Sequence, residues 1–494
     1  MLLFLILLPL VGSVLLFFLK GNASRYFALL IALGEFLGTV LMLSDFNVKS
    51  SISEGLQHEI IFNWLSLIKS NLHFGVDGIS MLMLFLVNLL IPIIIFSAFN
   101  EKKTYPNTFF SLILLMQFGL VGVFTALDGL VFYMFWELCL IPIWFISGLW
   151  GQEDMRIKVT KKFFIYTFLG SLLMLVGLVY LYQFSESFAL LNLYNTEINS
   201  EQQALLFWLI FLAFAVKFPL FPFHTWLPDT HTYAPTQGSM LLSGIMLKMA
   251  VYGVLRYLLP IVPEALQGWS GEVVVILAVV GVLYGAFIAL ITNNIKTIIA
   301  YSSVSHLGMM AGGIFASAIL SAKGNLTTEG VEGAMLQTMA HGINAVGLFY
   351  CADILYKRLK TKDITQMGGV AKVAPKFAVL FLIILLGSMA VPLTNGFVGE
   401  FTLLKTLYEY NIYLGISAGL SIILGAGYLL RLYSKTMLGK GDEVILKEAK
   451  DLSWVEFFVL GILAILVLIF GIFPNLILDL VREPLVLIYS FLVK

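Results

Sequence analysis

Four ionisable side chains stand in stretches that are otherwise apolar or small: Glu137 in Phe-Trp-Glu-Leu, Lys217 in Ala-Val-Lys-Phe-Pro-Leu-Phe-Pro, Lys248 in Met-Leu-Lys-Met-Ala, and Glu400 in Asn-Gly-Phe-Val-Gly-Glu. A charge at the centre of a lipid-spanning helix costs about 2.5–3.5 kcal/mol on the insertion scale, so each of these residues carries a functional hypothesis by default. Their chemistry would be proton transfer. Desolvation weakens a lysine's hold on its proton and a nearby carboxylate restores it, so moving or neutralising that carboxylate loads or unloads the lysine without any cofactor. The competing explanation is a static ion pair between Glu137 and Lys217 that only fixes packing. Apolar residues would fill that space at a smaller desolvation cost.

Two histidines extend the series: His306 in Tyr-Ser-Ser-Val-Ser-His, and His341 in Gln-Thr-Met-Ala-His-Gly-Ile-Asn. Ser302 and His306 are four apart, and Gln337, His341 and Asn344 are spaced by four and three, so each set shares one helix face. A polar stripe of this kind must face protein or water, and with water it can pass protons along hydroxyls and imidazoles. A hydrogen-bonded core histidine is the plainer alternative. Residues 222–235 hold His224, Asp229 and His231 between two apolar stretches without a metal-ligand spacing, and read as a folded interfacial loop in which Asp229 caps a helix. Glu35 fits contact with a neighbouring subunit as well as a proton role. Arg256, Asp353 and Lys405 lie near helix ends, where long side chains reach for the interface. No glycine-rich phosphate loop, CxxC pair or Ser/His/Asp order appears, so no redox centre, cofactor site or metal site is expected in this chain.

The elements that must hold these groups are transmembrane helices. Of 494 residues 60% are hydrophobic and 12% charged, with a mean hydropathy of +0.96, which excludes a water-soluble enzyme. Twenty-nine basic residues balance 29 acidic ones, so the charge gives no argument for a nucleic-acid partner. Cys139 and Cys351 are too far apart in the sequence to suggest a paired thiol or disulfide framework. Fourteen windows approach the roughly 20 apolar residues a span needs: 1–19, 26–43, 78–99, 108–127, 129–149, 163–184, 204–222, 236–259, 272–292, 297–319, 331–355, 377–409, 411–430 and 454–480. The first lacks a positively charged leader and a small-residue cleavage site, so it reads as a retained span. Odd-numbered loops carry twenty basic residues and even-numbered loops only Lys49, Lys69 and Lys323, which puts both termini on the non-cytoplasmic side of an inner (cytoplasmic) membrane. Pro219 and Pro222 in span seven and Pro392 in span twelve would break those helices beside an ionisable residue, freeing the carbonyls of Ala215, Phe218 and Ser388. Broken helices at matching positions point to inverted repeats. The division expected is 1–107 for helices one to three, 108–260 and 261–436 for two inverted five-helix repeats, and 437–494 for helix fourteen and the tail.

Phe135-Trp-Glu137, the run from Ala215 through His224-Thr-Trp-Leu-Pro-Asp-Thr-His231, Lys248, Ile295-Lys-Thr-Ile-Ile-Ala-Tyr-Ser-Ser-Val-Ser-His306 and Asn395-Gly-Phe-Val-Gly-Glu400 resemble the antiporter-like membrane subunits of respiratory complex I over roughly residues 75–440. The resemblance implies an all-α polytopic fold of about fourteen transmembrane helices, two inverted five-helix repeats with helices seven and twelve broken, and a proton channel. It is closest to the M, or chain 4, branch: Glu400 stands where the L and N subunits and the Mrp antiporters carry lysine, and the chain stops about 14 residues after span fourteen, short of the long lateral helix of subunit L. It further implies that Glu137 and Lys217 are a modulating pair, that Lys248, His306 and His341 form the central relay and that Glu400 is the terminal residue on the exit side. NADH, flavin, iron–sulfur clusters and quinone would belong to other subunits, and the partners would be L-like and N-like neighbours, the bilayer and protons. Two rivals remain at this point, a cation/proton antiporter of the Mrp type and a membrane scaffold with no open path. Glu400 speaks against the first and the buried Lys/His series against the second.

Overall fold

The computed structural model describes every residue except 20, 22, 49–55, 153–154, 442–449 and 494. Lys20, Lys49 and Lys447, three of the basic loop residues, lie outside the described residues. The chain is a helical bundle whose described residues include 11 helices long and apolar enough to cross a membrane, with shorter apolar helices beside them. In chain order α1 is Leu2–Leu16, α2 Ala23–Ser44, α3 Gly78–Ser97, α4 Pro106–Thr125, α5 Gly129–Leu138, α6 Leu140–Trp150 and α7 Arg156–Tyr182. Then come α8 Leu190–Tyr194, α9 Ser200–Lys217, α10 Trp226–Tyr233, α11 Thr236–Leu241, α12 Lys248–Tyr257, α13 Pro263–Gln267, α14 Trp269–Ile291 and α15 Ile295–Ala322. The last are α16 Glu329–Leu359, α17 Val370–Val373, α18 Pro375–Ser388, α19 Asn395–Tyr410, α20 Ile412–Met437, α21 Trp454–Ile472 and α22 Asn475–Ser490.

Side chains start these helices by taking up amides that no helical carbonyl can reach. Asp77 accepts from Ser80 at α3, Asp128 from Leu130 and Val131 at α5, Asn294 from Lys296 and Thr297 at α15, and Asn411 from Tyr413 and Leu414 at α20. Reciprocal capping boxes, Asn199 with Gln202 and Ser453 with Glu456, open α9 and α21. The connection after α2 is more ordered than its mixed pattern suggests: β1 Gln57–Leu65 pairs antiparallel with β2 Ser70–Val76, and β2 seats against α5 through Ser70, whose hydroxyl donates to Asp128 at 2.9 Å. This hairpin is an addition to the all-helical bundle.

Four interruptions shape the interior. Cys139 separates α5 from α6, where Pro142 cannot donate to Leu138. Residues 218–225 separate α9 from α10, and residues 389–394 separate α18 from α19, so stretch 377–409 is two helices joined by a break. At the break after α9, one of the carbonyls expected to be freed finds a new donor, Leu220 N–H reaching Ala215 O at 2.9 Å, and the Trp226 indole donates to the neighbouring Val216 O at 3.0 Å. The span Thr236–Tyr257 is α-helical at both ends and π-helical over Leu242–Met246. Stretch 454–480 is also not one span, because the backbone leaves the helix at Phe473, before Pro474, and α22 starts afresh against α3 and α16.

The loops sort to two ends. Arg25 bonds Phe99 O, Lys103 bonds Gln237, Lys357 pairs with Glu101, Lys162 with Asp229, Arg358 with Glu456, and Arg431 reaches Leu290 and Thr292, so odd-numbered connections touch one another. Even-numbered ones likewise meet, through Ser70 with Asp128, Asp128 bridged to Ala189, and Gln203 with Glu264.

Candidate functional site

Thr236–Tyr257, α15 and α16 are largely enclosed by the rest of the bundle, and they carry the centre of the site. In a regular α-helix the Leu247 amide would take the Ser243 carbonyl. The π turn sends it instead to Leu242 O at 3.2 Å, which leaves Ser243 O pointing to a new donor. That donor is Lys248, whose Nζ donates to Ser243 O at 2.5 Å and to His341 Nδ1 of α16 at 2.7 Å. The His341 ring lies 5.8 Å, centroid to centroid, from the His306 ring of α15. His306 Nδ1 in turn meets Glu400 Oε1 of α19 at 2.7 Å, and Gln337 donates to the same oxygen at 3.0 Å. Lys248, His341, His306 and Glu400 therefore form one line from the middle of the bundle toward its side, all of them buried or nearly so.

The polar faces expected on α15 and α16 are present and divide their partners. Ser302 bonds the Tyr428 hydroxyl of α20 at 2.8 Å, and Asn344 exchanges hydrogen bonds with Asn395 at 3.1 and 3.2 Å, tying α16 to the first residue of α19. Beside His306 and Glu400 a void of about 10 Å³, also lined by Ser305 and Tyr428, is close to the space one water occupies. His306 Nε2 is buried without a partner. It is the free acceptor or donor that such a water would meet.

Glu137 and Lys217 do not form the ion pair considered above. Neither Lys217 Nζ nor Glu137 Oε1 has a hydrogen-bond partner, and the Lys217 ammonium lies 5.1 Å from the Trp136 ring centre. The two groups stay within electrostatic reach of one another, with Glu137 on the half-covered flank of α5. The pair is open, held apart by a helix break on each side.

Three other expectations need correction. Asp229 caps no helix; it sits in the first turn of α10 and pairs with Lys162 at 2.7 Å. Arg256 does not reach for the interface but is buried against Asp77, because α12 is covered on all sides. Asp353 is buried too, accepting from Thr236 at 2.6 Å and pairing with Lys357 at 2.5 Å. Lys405 is exposed as expected and pairs with Glu329 and Glu409. His231 is fully buried, its ring stacked 4.5 Å from Phe349 and both nitrogens without partners, and His224 is stacked on Phe221. Sequence reasoning missed Lys296, counted as a loop residue although its ammonium is buried on Ala234 O at 2.9 Å. It also missed the Ser243 carbonyl, for which a π turn gives no sequence signal.

Residues 126–425 match the family described as "NADH:quinone oxidoreductase/Mrp antiporter, TM". The chain is 39% identical over 482 residues to NADH-quinone oxidoreductase subunit M of Rickettsia prowazekii, covering 96% of this chain and 95% of that one. It is 36% identical to NADH-ubiquinone oxidoreductase chain 4 of Chondrus crispus, over 95% of this chain and 93% of that one. Its fold superposes on a chain of respiratory complex I from Thermus thermophilus with a TM-score of 0.88 at 31% identity, over the full length of both. A chain of an archaeal membrane-bound sulfane sulfur reductase shares the fold alone, with a TM-score of 0.84 at 21% identity. With the family match covering more than half of it and relatives of one kind aligned along nearly all of it, the chain belongs to the transmembrane subunits of the NADH:quinone oxidoreductase/Mrp antiporter family, among the M subunits.

Proposed function

We propose that this chain carries protons along Lys248, His341, His306 and Glu400, as the membrane subunit of a proton-translocating NADH-quinone oxidoreductase. The observation that supports this reading is the line itself. Two short contacts, Lys248 to His341 and His306 to Glu400, flank a single gap between imidazoles, and every member can both hold and release a proton. Glu137 and Lys217 are its modulating pair. Bringing the Glu137 carboxylate onto the unpartnered Lys217 ammonium would load that lysine, and withdrawing it would release a proton toward the line. NADH oxidation by flavin and iron–sulfur clusters and the reduction of quinone belong to other subunits, and L-like and N-like subunits flank this one in the membrane.

The finer organisation follows the same reading. Residues 108–260 and 261–436 are the two inverted repeats, the first interrupted beside Glu137 and beside Lys217 and the second ahead of Glu400, and both termini face away from the cytoplasm. The test is Lys248→Met in fully assembled complex, reconstituted in vesicles and assayed for NADH-driven proton uptake. Pumping should fall by roughly tenfold or more, the loss expected when a proton-transfer group is removed. Unchanged pumping in assembled complex would overturn the assigned line.

A further inference from the structure

A polar pocket of about 440 Å³ lies at the end of the bundle where the basic loops gather, lined among others by Ser24 and Arg25 of the first turn of α2 and by Asn100, Glu101, Lys102 and Lys103 after α3. Directly along the same two helices runs an apolar groove of about 420 Å³, bounded by Leu29, Leu33 and Phe36 of α2, Phe96 of α3, and Trp454 and Phe458 of α21. The two are continuous in register. Arg25, Leu29, Leu33 and Phe36 follow at spacings of four, four and three, which is one face of α2. Phe96 lines the groove, Phe99 lines the pocket, and their rings are 5.1 Å apart.

Charge settles what the polar end can take. Arg25 is pinned at the junction, its Nη1 donating to Phe99 O at 2.8 Å and its guanidinium 5.5 Å from the Phe99 ring, while its Nε is buried without a partner. The one acidic residue among the described residues of the wall, Glu101, is neutralised by Lys103 at 2.5 Å and Lys357 at 2.6 Å. Burial would raise its affinity for a proton, but those two ammonium groups outweigh burial and hold the Glu101 carboxyl below its ordinary range. Among the described residues Arg25 and Lys102 are then the cations left for a ligand, at the mouth of a groove lined by apolar side chains. Asn100 closes the corner by donating to Ser453, the cap of α21, at 2.9 Å, and Trp454 follows with its ring exposed, the usual place for an indole at a membrane interface.

We infer that this composite site binds one anionic glycerophospholipid, its phosphate against Arg25 and Lys102 and an acyl chain in the groove between α2, α3 and α21. Basic pockets among transmembrane helices on the positively charged side suit anionic headgroups. The groove adds what a free phosphate lacks. The inference needs only that the chain is embedded in a bilayer, so it stands or falls separately from the proton line.

The experiment uses assembled complex in nanodiscs containing trace phosphatidylglycerol with a photoactivatable group in its acyl chain, and maps the crosslinked peptides by mass spectrometry. Labels should fall in residues 29–36, 89–96 and 454–462, and a phosphatidylcholine probe should give several-fold less. Arg25→Gln and Lys102→Gln should each lower the yield roughly fivefold, from about 1 kcal/mol per basic residue near an anionic surface. Leu33→Trp keeps both cations and fills the groove, and should abolish the label in complex that remains assembled. Equal labelling by both lipids, or labelling indifferent to all three substitutions, would overturn the inference. So would protection by millimolar inorganic phosphate, which would assign the pocket to a free anion, and so would exclusive crosslinking to another subunit, which would mean that a neighbour covers the groove.

Discussion

A lysine ammonium buried without an acceptor is costly, and Lys217 is in that position. The Trp136 ring at 5.1 Å returns about 0.5–2 kcal/mol, less than a contacting carboxylate would give. On the proposed reading that imbalance is what would let Glu137 act on Lys217. Glu137→Gln preserves shape and hydrogen-bonding capacity but removes the charge. Proton pumping should fall sharply while reduction of an artificial acceptor by the peripheral arm persists; normal pumping in assembled complex would favour a static role. Glu400 offers a sharper distinction, because His306 and Gln337 both contact Oε1. If Glu400 accepts the proton, Glu400→Asp should be partly active and both Glu400→Ala and Glu400→Gln strongly impaired, since transfer needs a titratable group within hydrogen-bond or one-water reach. A structural hydrogen bond predicts the other order. Gln pumping better than Asp in vesicles of assembled complex would remove Glu400 from the path.

At the scale of the element, the π turn is the feature that converts a span into part of a site. It costs one regular hydrogen bond and releases the Ser243 carbonyl five residues before Lys248, whose ammonium takes it as an acceptor. Gly244, inside this turn, lets α16 come close: a Cβ there would stand 2.6 Å from Val346 Cγ2. Gly244→Ala must therefore push the His341-bearing helix away or unwind the turn. We expect a destabilisation of about 1–3 kcal/mol, as for other overpacked interiors, read as a lower midpoint of thermal inactivation, together with reduced pumping. Adding Val346→Ala should restore both. If the double substitution recovers stability without pumping, the position of Lys248 rather than the packing carries the effect.

The whole molecule divides its polar groups between two ends and a central line. Odd-numbered loops bond to one another across the bundle and hold most of the basic residues, while even-numbered loops gather around the hairpin and Asp128. A cysteine placed in residues 357–372 should react only with reagent on the cytoplasmic side, and a tag at either terminus should be reachable only from the opposite side. A terminus labelled from the cytoplasm would mean one crossing too many or too few. The parity of the crossings turns on the stretch 377–409, where α18 and α19 are separated by a short break, as the proline in it implies. The C-terminal α22 lies at the end of the bundle where the even-numbered loops gather, with Arg482 on Glu332 and Tyr489 on Ser317, and so close to the start of α3 that a Cβ on Gly78 would overlap the Leu480 carbonyl.

Much of this was legible in the sequence because it depends on local properties. An apolar run of roughly 20 residues implies a span wherever it occurs, a proline breaks a helix at its own position, and a charge in such a run is conspicuous without a partner. Hence the membrane-spanning helical character, the breaks near Lys217 and Glu400, and the four residues of the proposed line with its modulating pair could be named from residue types and spacing, whereas the split of 454–480 at Phe473 was not. Partners could not. Lys248 and His341 are 93 residues apart, and their 2.7 Å contact exists because a π turn and a close helix crossing, neither marked in the sequence, align them. Packing also decided whether a charge near a helix end reaches water. Arg256 and Asp353 were expected at the interface, but neighbouring helices cover them and ion pairs compensate the burial, whereas Lys405 is left outside. The open geometry of Glu137 and Lys217 is likewise a tertiary result, since side chains of opposite sign attract but only the backbones on which they stand determine whether they can meet.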